Sequence, residues 1–142
     1  MREPTVVRHY HRRAASFFRT AGDLQTLIVN EDDAAKYLPS IGLLSVHSSI
    51  ALADAVLVAE AGERSSEENH AEAADKLDKL CKARGIAGQG IKHFRDRLGM
   101  KTPFSYGDRS VQDIAFQTAQ LKMEQFFKWV YGAFAELAEL NE

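Results

Sequence analysis

Arg64 and His70, with five residues between them, are of the two types that metal-free cleavage of RNA requires. Such a reaction needs a base to take the 2'-hydroxyl proton and a cation to stabilise the charge that builds on the phosphoryl oxygens. His70 shares a helical stripe with Ala73, Ala74 and Leu77, a spacing that turns it towards a groove or an interface. A helix N-terminus favours anions, which would help keep that imidazole neutral and able to accept a proton. The same two residues also read as a loop charge followed by a first-turn surface side chain.

His47 and Asp54 lie seven apart, on one face of the most apolar stretch of the chain. They read either as an interior polar pocket or as a satisfied core pair that fixes helix register. A buried Asp needs donors or a charge partner, and an arginine from the first helix would serve. Lys92, His93, Arg95, Arg97 and Lys101, with Phe94, Phe104 and Tyr106 beside them, mix cations with rings in a way that suits binding of a phosphate or stacking of a base. A solvated loop with anchoring aromatics has the same composition. No His, Cys and carboxylate cluster has metal-ligand spacing, and Gly88-Gln89-Gly90 lacks the preceding strand of a phosphate-cradling loop. No metal or cofactor is expected.

The elements that must position these side chains are helical. Val7, Tyr10, Ala14, Phe17, Ala21, Leu24 and Ile28 step by three and four, predicting a first helix over residues 5–30. After Pro39 the stretch 41–61 is apolar on most faces, with Leu43, Val46, Ile50, Ala53 and Leu57 as its central stripe, and Gly62 should end it. Ser65 and Glu68 have the spacing of a capping box, opening a third helix that ends near Gly85. A short helix is expected over 91–98. Ser110 and Asp113 suggest a cap for a last helix from about Val111, whose stripe runs from Phe116 to Leu140. No alternating strand pattern is present. The prediction is an all-α fold, a mostly antiparallel four-helix bundle with an additional short helix, over residues 1–142 as a single domain.

Composition agrees with a folded globular chain, at 45% apolar and 27% charged residues. A net charge of -2 gives no global attraction for nucleic acid, so any such role must rest on a local patch. One candidate is the N-terminal run of Arg2, Arg8, Arg12, Arg13 and Arg19, which also reads as a solvated helix face. With Cys81 as the single cysteine no internal disulfide can form, and a reducing, cytoplasmic setting is expected. The charged N-terminus does not resemble a signal peptide, and the longest apolar run, 50–59, is too short to cross a bilayer, so no membrane association is expected. The last helix carries Phe127, Trp129, Tyr131 and Phe134 beyond its main stripe, a surplus that predicts a homodimer through it and the first helix.

The run His47-Ser-Ser-Ile-Ala-Leu-Ala-Asp-Ala55, the Arg64-Ser-Ser-Glu-Glu-Asn-His70 turn, the Lys101-Thr-Pro-Phe-Ser-Tyr106 loop and the aromatic Phe126-Phe-Lys-Trp-Val130 together resemble a HEPN domain, the helical module named for higher eukaryotes and prokaryotes nucleotide-binding proteins. The resemblance spans about residues 5 to 135. It implies a helical bundle that commonly dimerises, tied in bacteria to toxin-antitoxin, defence or nucleotidyltransferase systems. Its partners would then be a nucleotidyltransferase or an antitoxin, and its ligand RNA or a nucleotide. Many members cleave RNA without metal through an Arg and a His a few residues apart, which implies Arg64 and His70 here. The first expectation is a dimeric binding or regulatory module; the alternative is a metal-independent endoribonuclease.

Overall fold

Helix termini are set by a few identifiable caps. In the computed structural model, which describes residues 4–62, 70–101, 104 and 114–140, α1 is Pro4–Thr26 and α2 is Glu31–Ala61. Between them Asn30 holds an extended backbone and its side-chain oxygen accepts from the Asp33 amide at 2.9 Å. Glu31, Asp32 and Asp33 follow in the first turn, where carboxylates oppose the positive helix end. Asn30 therefore opens the second helix and does not close the first. α2 also starts well before Pro39 and runs through it, at the loss of one backbone donor. Gly62, at φ 73°, stops α2 by donating to Leu57 and Val58, as its position in the sequence predicts.

α3 is His70–Arg84, closed by Gly85 at φ 67° with the Ile86 amide bonded to Cys81 O at 2.9 Å. The Ser65 and Glu68 cap expected for it lies outside the described residues. α4 is Gln89–Gly99. The closing run is divided into α5 (Ile114–Gln117), α6 (Ala119–Ala133) and α7 (Ala135–Ala138). Thr118 turns its hydroxyl back to Ile114 O at 2.7 Å, and Phe134 leaves helical geometry at φ -129°, ψ 68°. The Ser110 and Asp113 cap falls outside the described residues. Among the described residues there is no strand, and the fold is all-α.

α2 is the central rod. Val46, Leu52, Ala53, Ala55 and Val56 are fully enclosed, and three interior serines return their hydroxyls to carbonyls one turn back: Ser45 to Gly42, and Ser48 and Ser49 to Ser45. By length and apolarity α2 could cross a membrane, yet 83% of its most apolar window is buried by the other helices, as a core helix would be.

Cross-helix contacts give the directions. His11 meets Tyr131 and Phe18 meets Phe127, so α1 and α6 are antiparallel. Phe94 stacks on Phe126 at 5.3 Å while Gly90 sits under Trp129, so α4 and α6 are antiparallel too. The exception is α3. Its end ties to the end of α2 through Arg84 and Glu60 at 2.6 Å, and its start lies beside His47 and Asp54 in mid-α2. α2 and α3 thus run the same way, and this alignment creates the site.

Candidate functional site

Where the start of α3 meets the middle of α2 and the first half of α1, a cavity of about 200 Å³ opens. Tyr10, Arg13, Phe17, His47, Asp54 and His70 line it. Helical spacing on α1 sends Tyr10, Arg13 and Phe17 to one side, and the seven-residue step from His47 to Asp54 sends both to the other. His70, the first residue of α3, closes the end, half-buried and with its Nδ1 atom shielded from solvent.

Three groups follow one another from the α1 side of the cavity to the α2 side. The Arg13 guanidinium lies 5.7 Å over the Phe17 ring, and that ring is 6.0 Å from the imidazole of His47. Burial holds the His47 imidazole below its ordinary pKa, and the positive fields of Lys101, His70 and Arg13 push it the same way. His47 is therefore neutral at neutral pH, with a ring nitrogen able to accept a proton or a hydrogen bond. Asp54, 7% exposed, is engaged by other groups and supplies the one carboxylate among the described residues of the lining. Beside the Asp54 carboxylate, a small polar chamber with an arginine over a ring, a nearby ammonium and two imidazoles suits an anion with hydroxyls attached. Among the described residues no group of three His, Cys, Asp or Glu is placed to hold a metal ion.

The structure thus joins two sets that the sequence presents separately, His47 with Asp54 and His70 from the Arg64 pair. Arg64 lies outside the described residues. Arg13 enters from the N-terminal arginine run, and Tyr10 and Phe17 are not among the candidate site residues of the sequence. For Arg13 the available signal was the need of a buried Asp for an α1 arginine, and for Tyr10 and Phe17 their place on the α1 stripe.

The basic stretch of α4 does not gather on one surface. Lys92 is exposed, and Arg95 is turned to Asp75 of α3 at 3.0 Å. His93 lines a separate groove beside Trp129, and Lys101 acts on His47 in the first cavity. Tyr106 is outside the described residues. Arg97 is 4% exposed with Nε and Nη1 lacking hydrogen-bond partners, and burial lowers its pKa against the opposing pull of Asp96.

A further interior polar pair escaped the sequence reading. His11, 2% exposed, shares a 2.8 Å hydrogen bond with the Tyr131 hydroxyl, and burial lowers the histidine pKa and raises that of the tyrosine. The surplus aromatics of the closing run are largely turned inward: Phe127 and Phe134 are buried, and Trp129 and Tyr131 are half-buried. A groove of about 730 Å³ remains between α1 and α6, floored by Phe18, Phe127 and Tyr131, with Arg19 on one wall and Glu124 on the other.

Set against family models, curated proteins and solved structures, the chain finds no match.

Proposed function

We propose that this protein is a HEPN-like binding or regulatory module whose α1–α2–α3 cavity receives a phosphoryl group of a nucleotide or of an RNA chain. The observation that carries the reading is the convergence of Arg13, His47 and His70 on one cavity, with Lys101 close enough to bias His47. Arg13 provides a forked donor for phosphate oxygens, and the neutral imidazole of His47 provides a hydrogen bond without repelling the ribose. The chamber is below the size of a drug-sized pocket. It therefore suits the phosphate and part of the sugar, leaving the base outside.

Arg13→Ala and His47→Ala variants test this. Titration of the wild-type protein with AMP, followed by the chemical shifts of the His47 and His70 ring protons, is expected to show saturable shifts that both variants lose. No movement of either imidazole at millimolar AMP refutes the reading.

A second reading, a metal-independent endoribonuclease, is favoured by one observation: His70 opens onto the same cavity as Arg13, so a base and a cation meet there. His70 would take the 2'-hydroxyl proton, the 2'-oxygen would attack phosphorus to form a cyclic phosphate, and the imidazolium so formed on His70 would return that proton through water to the departing 5'-oxygen, with neutral His47 hydrogen-bonded to a phosphoryl oxygen. Arg64, expected from the resemblance, would share with Arg13 the stabilisation of phosphoryl charge. Incubation with RNA in chelator, beside His70→Ala and Arg64→Ala, decides it. Intact RNA with the wild type ends the nuclease reading and leaves the binding reading standing.

The groove between α1 and α6 supports the further proposal of a homodimer in the cytosol. Arg19 and Glu124 on opposite walls can exchange partners across a twofold axis. Sedimentation showing only monomer at micromolar concentration counts against it. An antitoxin or a nucleotidyltransferase is the class of partner that the resemblance implies.

A further inference from the structure

Large apolar side chains left exposed gather at one end of the bundle. Among the described residues they are Val6, Leu27, Val29, Ile114 and Leu121, and of these Val6 alone lies far off, in the first turn of α1. Val29 is 83% and Ile114 73% exposed. Gln120 faces Gly22, and Gln117 lines a groove with Gln25 and Ile28, so the closing run travels back along α1 and brings Ile114 to the level of the α1–α2 turn. Ile114, Gln117 and Leu121 form one exposed stripe, because the Thr118 amide keeps its helical bond to Ile114 O across the break. Beside the turn the groove encloses about 540 Å³, with Ile28, Val29, Ala34 and Leu38 as its apolar lining. The turn itself is held: Asp33 accepts from the Val29 amide at 3.2 Å, and the Leu27 and Ile28 amides return to Leu24 O and Gln25 O.

We infer that this end of the bundle is a docking surface for a basic amphipathic segment of another protein, with apolar side chains seated in the groove and lysines or arginines over its rim. The surface shares no lining residue with the α1–α2–α3 cavity or with the α1–α6 groove. Charge selects the occupant. Between residues 20 and 35 the charged side chains are Asp23, Glu31, Asp32 and Asp33, with no lysine or arginine among them. The first cation beyond, Lys36, is laid over the Tyr37 ring at 5.2 Å. Asp33 is engaged by the turn, whereas Glu31 and Asp32 stand exposed beside the apolar residues. A second copy meeting through the same face would set these carboxylates against their own kind, and an anionic lipid surface would be repelled likewise. A cationic partner is attracted instead, and an amphipathic helix presents apolar anchors and flanking cations together. Because the turn is already held by its own hydrogen bonds, little backbone freedom is lost when a partner covers it.

The test uses the full chain and a fluorescently labelled helical peptide with leucines at helical spacing and lysines between them, followed by anisotropy. One companion peptide carries glutamate for lysine, and another carries serine for leucine. The lysine–leucine peptide is expected to bind saturably at micromolar protein, more weakly as salt is raised, and neither companion should bind. Val29→Ser with Ile114→Ser, both at exposed positions, should weaken binding about tenfold or more. Glu31→Gln with Asp32→Asn should weaken it a few-fold and flatten the salt dependence. Unchanged circular dichroism shows that both double variants fold, and Arg13→Ala should bind as wild type does, which separates this surface from the cavity. The inference is overturned if the lysine–leucine peptide does not bind at millimolar protein, if the glutamate companion binds as well, or if the Val29 and Ile114 double variant binds as tightly as wild type. It is also overturned if those two substitutions instead abolish self-association in sedimentation or binding to phosphatidylcholine vesicles, which would give the surface to a second copy or to a membrane.

Discussion

Replacing Tyr131 with Phe removes one hydroxyl and strands a ring nitrogen. His11 is 2% exposed, and its Nε2 atom has the Tyr131 hydroxyl as its partner at 2.8 Å. Leaving a buried polar atom unsatisfied costs about 1–3 kcal/mol. For a chain of this length each kcal/mol moves the midpoint by about 3 °C, so Tyr131→Phe should lower Tm by about 3–9 °C. Removing both polar partners is expected to recover most of that loss: His11→Leu with Tyr131→Phe should melt closer to wild type than Tyr131→Phe alone. The pH dependence carries the same logic. Burial holds the folded pKa of His11 below the unfolded value of about 6.5. Between those two values the unfolded chain binds a proton that the folded chain refuses, so stability falls as pH drops below about 6.5 and is flat above it. His47, lowered by burial and by nearby cations, adds to the same slope. Melts from about pH 7 to 5 by circular dichroism should show this loss, reduced in the His11→Leu background. A Tyr131→Phe midpoint within about 1 °C of wild type, or a double variant less stable than either single one, would refute the reasoning.

Two glycines should respond in opposite senses to alanine. A methyl on Gly42 would strike the Phe104 ring, so Gly42→Ala should destabilise by about 1–3 kcal/mol, whereas Gly132→Ala, facing open space, should stabilise by up to about 1 kcal/mol through helix propensity; urea melts compare them. Asn30→Ala removes the α2 cap and should cost about 1 kcal/mol, and Asn30→Asp should keep most of it, by the same measurement. Phe126→Ala, fully buried between Phe94 and Trp129, should cost about 3–5 kcal/mol and shift Trp129 emission to the red.

Much of this fold was legible because helical periodicity is a local signal. The α2 stripe is buried at Val46, Ile50, Ala53 and Leu57 as its spacing predicts, with Leu43 half-buried, and Gly62 and Gly85 stop their helices at positive φ. On α1 the expected stripe holds at Val7, Ala14 and Ala21, which are fully enclosed, while its members Tyr10, Phe17, Leu24 and Ile28 sit half-buried on the flank and His11, outside the stripe, is buried. A histidine among alanines reads as polar surface, and only the Tyr131 hydroxyl on a distant helix makes its burial tolerable. Pro39 misled for a related reason. Proline usually breaks a helix, yet the capped turn from Asn30 to Asp33 nucleates α2 eight or nine residues earlier, and packing carries it through. The site was half legible. His47 and Asp54 are joined by local spacing, but their meeting with His70 depends on the direction of α3, which no stretch of sequence records. The scatter of Lys92, His93, Arg95 and Lys101 has the same origin, because successive helix positions look towards different neighbours.

The shared heading of α2 and α3 also bears on the order in which the molecule assembles. α1 and α2 are joined by a tight turn and can zip together from nearby contacts, but the cavity stays unfinished until a third segment has travelled back to mid-α2 and docked. A partly opened form that keeps the first two helices would still protect its amides from hydrogen exchange while having no working chamber, so loss of binding should precede loss of most helical signal on warming.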